Sequence, residues 1–190
     1  MNLPCLPAAR GAPARRRVLS ALAAAGAFAL VGCASPRIED HANDEPVLDL
    51  REYFDGRVRA YGVFHDRFGR LQRRFIVEID GRWQGDVGTL DERFAYPDGT
   101  TSRRVWTLRR EADARYTGTA ADVVGTAVGQ ARGNALRWRY TLQLPVGDRV
   151  YDVQFDDWMY LMDGRVMLNK AVMSKFGIRL GEVTLTFVKE

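Results

Sequence analysis

Residues 48–190 are predicted to form an all-β fold, an antiparallel up-and-down barrel of about nine strands with a short N-terminal helix. Three observations support this: apolar and polar side chains alternate along several segments, turn-forming residues separate those segments, and most connections are too short for parallel crossovers. A meander with one apolar face must bury that face. It can close on itself or pack on a second sheet, so a β-sandwich is the alternative.

The individual elements follow from the same patterns. Residues 136–144 alternate without a fault, and residues 74–79 and 182–187 repeat the pattern over shorter lengths, so each is predicted to be a half-buried strand. Residues 48–54 alone have helical spacing, and Gly56 ends that helix after at most two turns. Turn signals that predict the nine strands lie at residues 66–69, 80–81, 97–99, 112–114, 133–134, 145–148, 163–164 and Gly177.

The first 32 residues have the pattern of a secretory signal peptide. Three arginines at 15–17 precede the uncharged segment 18–31, which as a helix would span roughly 21 Å, short of the ~30 Å hydrocarbon core. The segment ends in LVGC at positions 30–33, which resembles the lipobox of bacterial lipoproteins. That resemblance implies cleavage before Cys33 and acylation of its sulfur and amine by fatty acids such as palmitate. An ordinary signal peptide with a chance cysteine is the alternative.

The predicted lipid anchor sets the expected location and domain boundaries. Ala34 follows the cysteine where retention in the inner membrane typically requires aspartate, so the periplasmic face of the outer membrane is favoured. Residues 33–47 are interpreted as the lipidated cysteine and a flexible tether, because they are polar and have no periodicity. Several acyl chains on one residue suffice for stable anchoring.

The charge distribution argues against nucleic acid as a partner. The chain has a net charge of +4, but residues 1–32 contain four arginines and no acidic residue, so residues 33–190 are neutral overall. The basic excess that attracts phosphate backbones is therefore missing from the predicted barrel.

The inventory of reactive side chains is also small. The only cysteines are Cys5 and Cys33, and His65 is the single histidine of the predicted barrel. We find no motif for a metalloprotease, a phosphate-binding loop or a nucleophile elbow. We therefore expect no enzymatic activity, no cofactor and no metal site.

Several segments together carry a family resemblance. Phe54-Asp55-Gly56, Tyr61-Gly62-Val63-Phe64, residues 156–161 (DDWMYL) and residues 173–177 (MSKFG) resemble those of a bacterial lipoprotein family of unknown function, the domain-of-unknown-function family 3833. The resemblance covers about residues 38–189. It implies an envelope lipoprotein and supplies no reaction. The short helix followed by a glycine-bearing first strand is also similar to lipocalin-like barrels.

The most informative side chain is Asp157. Along a strand it shares the apolar face with Phe155, and an inward carboxylate is costly unless it is paired. Lys170, placed between Leu168 and Val172 on the apolar face of the next predicted strand, is the expected partner, and Lys175 and Arg179 are the alternatives. The pair is interpreted as a structural ion pair or as a polar anchor for a ligand headgroup, with acid/base catalysis as a third alternative. The candidate ligand-binding residues are Trp138, Tyr140, Phe155, Asp157, Trp158, Tyr160, Lys170 and Lys175.

Together these patterns indicate a lipoprotein attached to the membrane through Cys33 that binds an apolar or fatty-acyl small molecule inside its barrel. The alternative is a structural or interaction lipoprotein of the cell envelope with a side-chain-filled barrel. The sequence identifies no protein partner.

Overall fold

The computed structural model describes residues 35–190. A 3-10 helix (Ile38–His41) and a short α-helix, α1 (Leu50–Phe54), precede ten strands. No helix within this range is both long enough and apolar enough to cross a bilayer. The predicted signal peptide and Cys33 lie outside the described residues. The strands are β1 (Gly56–Asp66), β2 (Leu71–Gln84), β3 (Val87–Ala95), β4 (Thr101–Arg110), β5 (Arg115–Thr119), β6 (Ala127–Arg132), β7 (Ala135–Val146), β8 (Arg149–Leu161), β9 (Val166–Lys175) and β10 (Ile178–Lys189).

The strands form one closed antiparallel barrel. Each strand pairs with the strand that follows it in sequence, and β1 pairs with β10 to close the sheet. The predicted up-and-down barrel is thus confirmed, with ten strands where the sequence predicts about nine.

The strand boundaries differ from the prediction at two turns. The Asp80-Gly81 pair lies inside β2, and the chain turns instead at Gly85, whose φ of 61° falls in the left-handed region. No turn is predicted between residues 114 and 133, but the chain turns between β5 and β6, and the glycine-rich segment 123–131 contains the end of this loop. Gly125 in this loop also has a positive φ of 68°.

The two ends of the barrel differ. One end, called the floor here, is covered by α1, which begins with the Asp49 side chain accepting a hydrogen bond from the Arg51 backbone N–H. Phe54 of α1 packs against Phe187 of β10, and the Tyr53 hydroxyl donates to the Arg165 carbonyl oxygen at 2.9 Å. The other end, called the rim, consists of the turns β1–β2, β3–β4, β5–β6, β7–β8 and β9–β10.

The chain before α1 also packs on the barrel. Ile38 is buried, and the His41 ring lies 5.4 Å from the Tyr160 ring in an edge-to-face arrangement. A tether, predicted for residues 33–47, would therefore be confined to the residues that precede Ile38. Residues Arg37–Glu190 form one compact unit that contains both hydrophobic clusters. A unit with its own core and a closed sheet is expected to fold independently.

The alternation of inward and outward side chains matches the prediction in most strands. In β7 and β8 the inward residues include Trp138, Leu142 and Phe155, all buried as expected. In β9 the predicted face is wrong, because Met167 and Ala171 point inward and Val166, Leu168, Lys170 and Val172 do not. Residues 166–173 have apolar side chains on both faces, so alternation alone does not fix the orientation of β9.

Replacing Gly81 with alanine should destabilise the floor. A Cβ at position 81 would lie 1.6 Å from the Phe54 carbonyl oxygen, so α1 would have to move. We expect Gly81→Ala to lower the free energy of unfolding by about 2 kcal/mol or more in urea titrations of residues 35–190. Gly164→Ala is the matched control, because a Cβ there meets nothing within 4 Å. Equal stability of the two variants would contradict this account of the floor.

Candidate ligand-binding cavity

The barrel encloses a cavity of about 510 Å³. Its lining extends from Leu50 and Phe54 at the floor to Tyr96 and Val146 at the rim. This volume lies within the range of roughly 300–1,000 Å³ that is typical of small-molecule sites. Side chains therefore do not fill the interior.

Aromatic rings form much of the cavity wall. The Trp106 ring contacts Trp138 and Tyr140 edge-to-face, with centroids 5.9 Å and 5.4 Å apart, and Tyr140 stacks on Phe155 at 4.9 Å. Interlocking rings of this kind hold one another in fixed orientations. The wall is therefore a preformed apolar surface.

Two glycines make room for the Trp138 indole. A Cβ at Gly129 would lie 2.4 Å from the Trp138 ring, and a Cβ at Gly118 would lie 2.8 Å from it. The small residues of the segment 123–131 therefore accommodate a neighbouring side chain. They also keep the indole close to the wall, which leaves the centre of the barrel open.

Asp157 is buried on the cavity wall. Its side chain is in the lining, and its Oδ1 atom has no hydrogen-bond partner among residues 35–190. Burial raises the pKa of this carboxyl from 3.8 to about 8, although the nearby Asn169 amide lowers it in part. At neutral pH Asp157 is therefore mostly protonated and offers both a donor and an acceptor to the cavity.

Asn169 provides a second polar group on the same wall. It is only 2% exposed and lines the cavity, one strand away from Asp157. Neither its Oδ1 nor its Nδ2 atom has a hydrogen-bond partner of normal geometry within the described residues. Buried polar atoms are normally satisfied, so these two side chains form a polar spot with unused hydrogen-bonding capacity.

A charged cluster lies on the opposite side of the barrel. Arg104 binds both carboxylate oxygens of Asp122 through its Nε at 3.0 Å, and its Nη1 lies 3.8 Å from a carboxylate oxygen of Glu92. Burial raises the pKa of Glu92 to about 7, and the Arg104 charge opposes that rise. Burial alone would lower the pKa of Arg104, but the two acidic neighbours raise it above its ordinary value.

Tyr140 interacts electrostatically both with Asp157 and with the charged cluster around Arg104. Burial and the charge of Asp157 raise the pKa of its phenol well above the ordinary value, so it stays protonated. The cavity therefore combines an apolar aromatic wall with hydroxyl, amide and carboxyl groups. Such a surface can bind an apolar chain and form hydrogen bonds with an attached polar head.

The predicted site residues divide between the inside and the outside of the barrel. Trp138, Tyr140, Phe155 and Asp157 line the cavity. Trp158 and Tyr160 stack on each other on the outer surface, with ring centroids 6.2 Å apart.

The expected inward orientation of Lys170 is wrong. Its side chain is exposed on the outer surface, and its Nζ lies 3.1 Å from a carboxylate oxygen of Glu182. The cause is that the inward positions of β9 are shifted by one residue from the predicted ones, so Asn169 lies inside the barrel instead. Lys170 therefore does not pair with Asp157. Lys175 lies at the rim, where its Nζ donates to the Asp152 carbonyl oxygen at 3.1 Å.

The sequence-based set omits most of the lining, including four residues that shape the site: Glu92, Arg104, Trp106 and Asn169. The alternation signal could have found three of them. Glu92 shares a strand face with Leu90 and Phe94, and residues 104, 106 and 108 also share one face. Asn169 carries no such signal, because the alternation in β9 is ambiguous.

The family model for a protein of unknown function, DUF3833, matches residues 27–189. The chain belongs to this family. The resemblance seen in the sequence motifs is thereby confirmed. No curated protein has a significantly similar sequence.

Solved structures with the same architecture confirm a lipocalin-like barrel. The S-type phycobiliprotein lyase CPES from Guillardia theta has a TM-score of 0.57 at 8% identity, covering 82% of this chain and 98% of its own. A protein of unknown function from the DUF3598 family of Nostoc punctiforme has a TM-score of 0.53 at 10% identity, covering 83% of this chain. This chain spans about half of that second protein, 53% of its length. At these identities the likeness concerns the fold alone.

The buried carboxyl of Asp157 should make stability depend on pH. Between about pH 4 and pH 8 the unfolded chain is ionised at this position while the folded protein keeps the proton, so raising the pH favours unfolding. Asp157→Asn should remove about 1.4 kcal/mol per pH unit of that decline. The buried carboxyl of Glu92 also lowers the free energy of unfolding as the pH rises to about 7, and this contribution remains in the Asp157→Asn variant. Urea unfolding across this range measures the slope, and an unchanged slope would contradict the buried, protonated state.

Proposed function

We propose that this protein is a lipid-anchored protein of the bacterial envelope that binds a fatty-acyl or similar apolar small molecule non-covalently inside its barrel. The observation that carries the proposal is the cavity of about 510 Å³, with its apolar walls and the unpartnered polar atoms of Asp157 and Asn169. An apolar cavity with a few convergent polar groups is the usual form of a small-molecule site. A barrel filled by side chains would not have this interior.

The two parts of the cavity would bind different parts of the ligand. The rings of Trp106, Tyr140 and Phe155 offer apolar surface to an acyl chain, and burial of that chain supplies most of the affinity, at about 25 cal/mol per Å². The head of the ligand would bond with Asp157 and Asn169, each hydrogen bond contributing about 1 kcal/mol. Because Asp157 is mostly protonated at neutral pH, it does not repel an anionic head.

Binding itself is testable with the fragment 35–190 purified without refolding. Native mass spectrometry is expected to show a stoichiometric adduct that organic extraction removes, and a fluorescent acyl probe is expected to bind saturably. A bare protein mass together with no saturable probe binding would refute the proposal.

Partly filling the cavity should weaken this binding. Val183 lines the cavity, so Val183→Trp would place an indole in the space proposed for the acyl chain. We expect a loss of probe affinity of at least about tenfold. Thr184→Trp is the matched control, because Thr184 is the next residue on the same strand and is exposed. Equal affinities of the two variants would place the ligand elsewhere, and urea unfolding checks that both are folded.

The proposed anchor rests on the LVGC sequence at positions 30–33. Cys33→Ser in the full-length chain should abolish incorporation of radiolabelled palmitate and move the protein from the membrane fraction to the soluble periplasm. Cys5→Ser is the control, because the cleaved signal peptide would carry Cys5 away. Palmitate labelling that survives Cys33→Ser would contradict the anchor without affecting the proposal for the cavity.

A further inference from the structure

The rim has a concentration of exposed apolar side chains. Three of its turns, residues 66–71, 146–150 and 175–179, are called the rim patch here. In residues 35–190 eight large apolar side chains are more than half exposed, and six of them belong to this patch. The six are Phe68, Leu71, Val146, Val150, Phe176 and Ile178. Water-exposed apolar groups at this density mark a surface that binds something.

The three turns are neighbours around the barrel. The β1–β2 and β9–β10 turns adjoin because β1 pairs with β10, and the β7–β8 turn adjoins them because β8 pairs with β9. Together they occupy one continuous side of the rim. The cavity opens beside them, since Gln72 and Val146 are part of its lining.

Phe176 is the most prominent member of the patch. It is 88% exposed, and its φ of 51° lies in the left-handed region, which is unfavourable for a bulky residue. A turn at this position would be less strained with glycine or asparagine and more soluble with asparagine. The phenyl group is therefore held in water by a backbone conformation that does not favour it.

The rim patch is also positively charged. Its three segments contain five basic residues and two acidic ones, whereas residues 33–190 are neutral overall. One of the acidic side chains, Asp66, accepts hydrogen bonds from the backbone N–H groups of Phe68 and Arg70 within its own turn. Arg179 pairs with Glu182, and the other four cations form no salt bridge with any described residue.

Cations and rings alternate within the patch. The Arg67 guanidinium lies 4.7 Å from the centre of the Phe68 ring, and Lys175 Nζ lies 4.9 Å from that of Phe176. This combination matches the interface of a bilayer, where rings enter the acyl boundary while cations remain among anionic headgroups.

We propose that the rim patch docks on the surface of a bilayer that contains anionic lipids, with the rings of Phe68 and Phe176 inserted among the acyl chains. In this orientation the mouth of the cavity faces the hydrocarbon of the membrane. Docking does not require a ligand in the cavity, so this inference goes beyond the proposed function. The chain before α1 packs at the floor end, where the Leu48 N–H donates to the Gly133 carbonyl oxygen, and Cys33 lies five residues before Ile38, a reach of about 18 Å that is too short to span the barrel. A lipid on Cys33 would therefore lie in a different bilayer from the one that the rim patch contacts.

The test uses the fragment 35–190 and vesicles of phosphatidylcholine, with and without phosphatidylglycerol. This fragment has no cysteine, so Val150→Cys at the rim and Met162→Cys at the floor end can each carry one environment-sensitive fluorophore. We expect a blue shift at position 150 with vesicles that contain phosphatidylglycerol, and no shift at position 162. A shift at both positions, or at neither, would overturn the proposed orientation.

Two sets of variants measure the contributions of the rings and the cations. The double variant Phe68→Ser/Phe176→Ser should weaken vesicle binding by at least about tenfold, and Arg70→Gln should weaken it about fivefold. Val47→Ser/Met162→Ser is the matched control, because these exposed apolar residues lie at the floor end, and it should leave binding unchanged. Equal losses in the two double variants would contradict docking through the rim.

Two further outcomes separate this proposal from others. If the fragment forms dimers without lipid and Phe68→Ser/Phe176→Ser abolishes them, the patch binds a second copy of the chain and membrane docking is overturned. Val183→Trp should keep vesicle binding while it loses the acyl probe. Failure of the cavity proposal and failure of the docking proposal therefore give different results.

Discussion

The pairing of β1 with β10 runs from Val58 opposite Lys189 to Asp66 opposite Gly181. This pairing closes the barrel and leaves no free strand edge among the ten strands. Closure also turns every second side chain toward one shared interior. The cavity, the burial of Asp157 and the position of α1 as a floor all depend on it, because an open sheet would expose the same residues to water.

The interior is less stable than a fully packed core of the same size would be. An unfilled volume forgoes dispersion contacts, and buried carboxyls such as Asp157 and Glu92 keep their protons at pH values where exposed ones would lose them. The Nε and Nη2 atoms of Arg104 both contact the Asp122 carboxylate, which offsets part of the free-energy cost of burying the Arg104 charge. Polar groups with unused hydrogen-bonding capacity are common where a protein binds a ligand, and this arrangement supports the proposed role of the cavity.

Alternation predicts strands best where the two faces of a strand differ in polarity. In β7 the outward positions include Arg137 and Arg139, so the face that carries Trp138 could only be the inner one. In β9 both faces are apolar, and the position of Asn169 became apparent only from the register with β8. The turn at Gly85 was missed because the Asp80-Gly81 pair has the stronger local signal. At position 81, glycine is required because the Phe54 carbonyl oxygen approaches closely, and not because the chain turns. Cavity volume also depends on contacts between distant residues, such as Gly118 with Trp138, which no local pattern contains.

The closed floor limits the route by which a molecule can enter and leave the cavity. Tyr53 bonds to Arg165, the Leu48 backbone N–H donates to the Gly133 carbonyl oxygen, and Phe54 packs on Phe187, so α1 is fastened on several sides. A molecule that enters past the rim has the same route out, and the end that enters first leaves last. An elongated ligand bound as proposed would therefore enter and leave by the same end of the barrel. A barrel that is closed at the floor could store or deliver such a ligand at its rim, but it could not pass the ligand through from end to end.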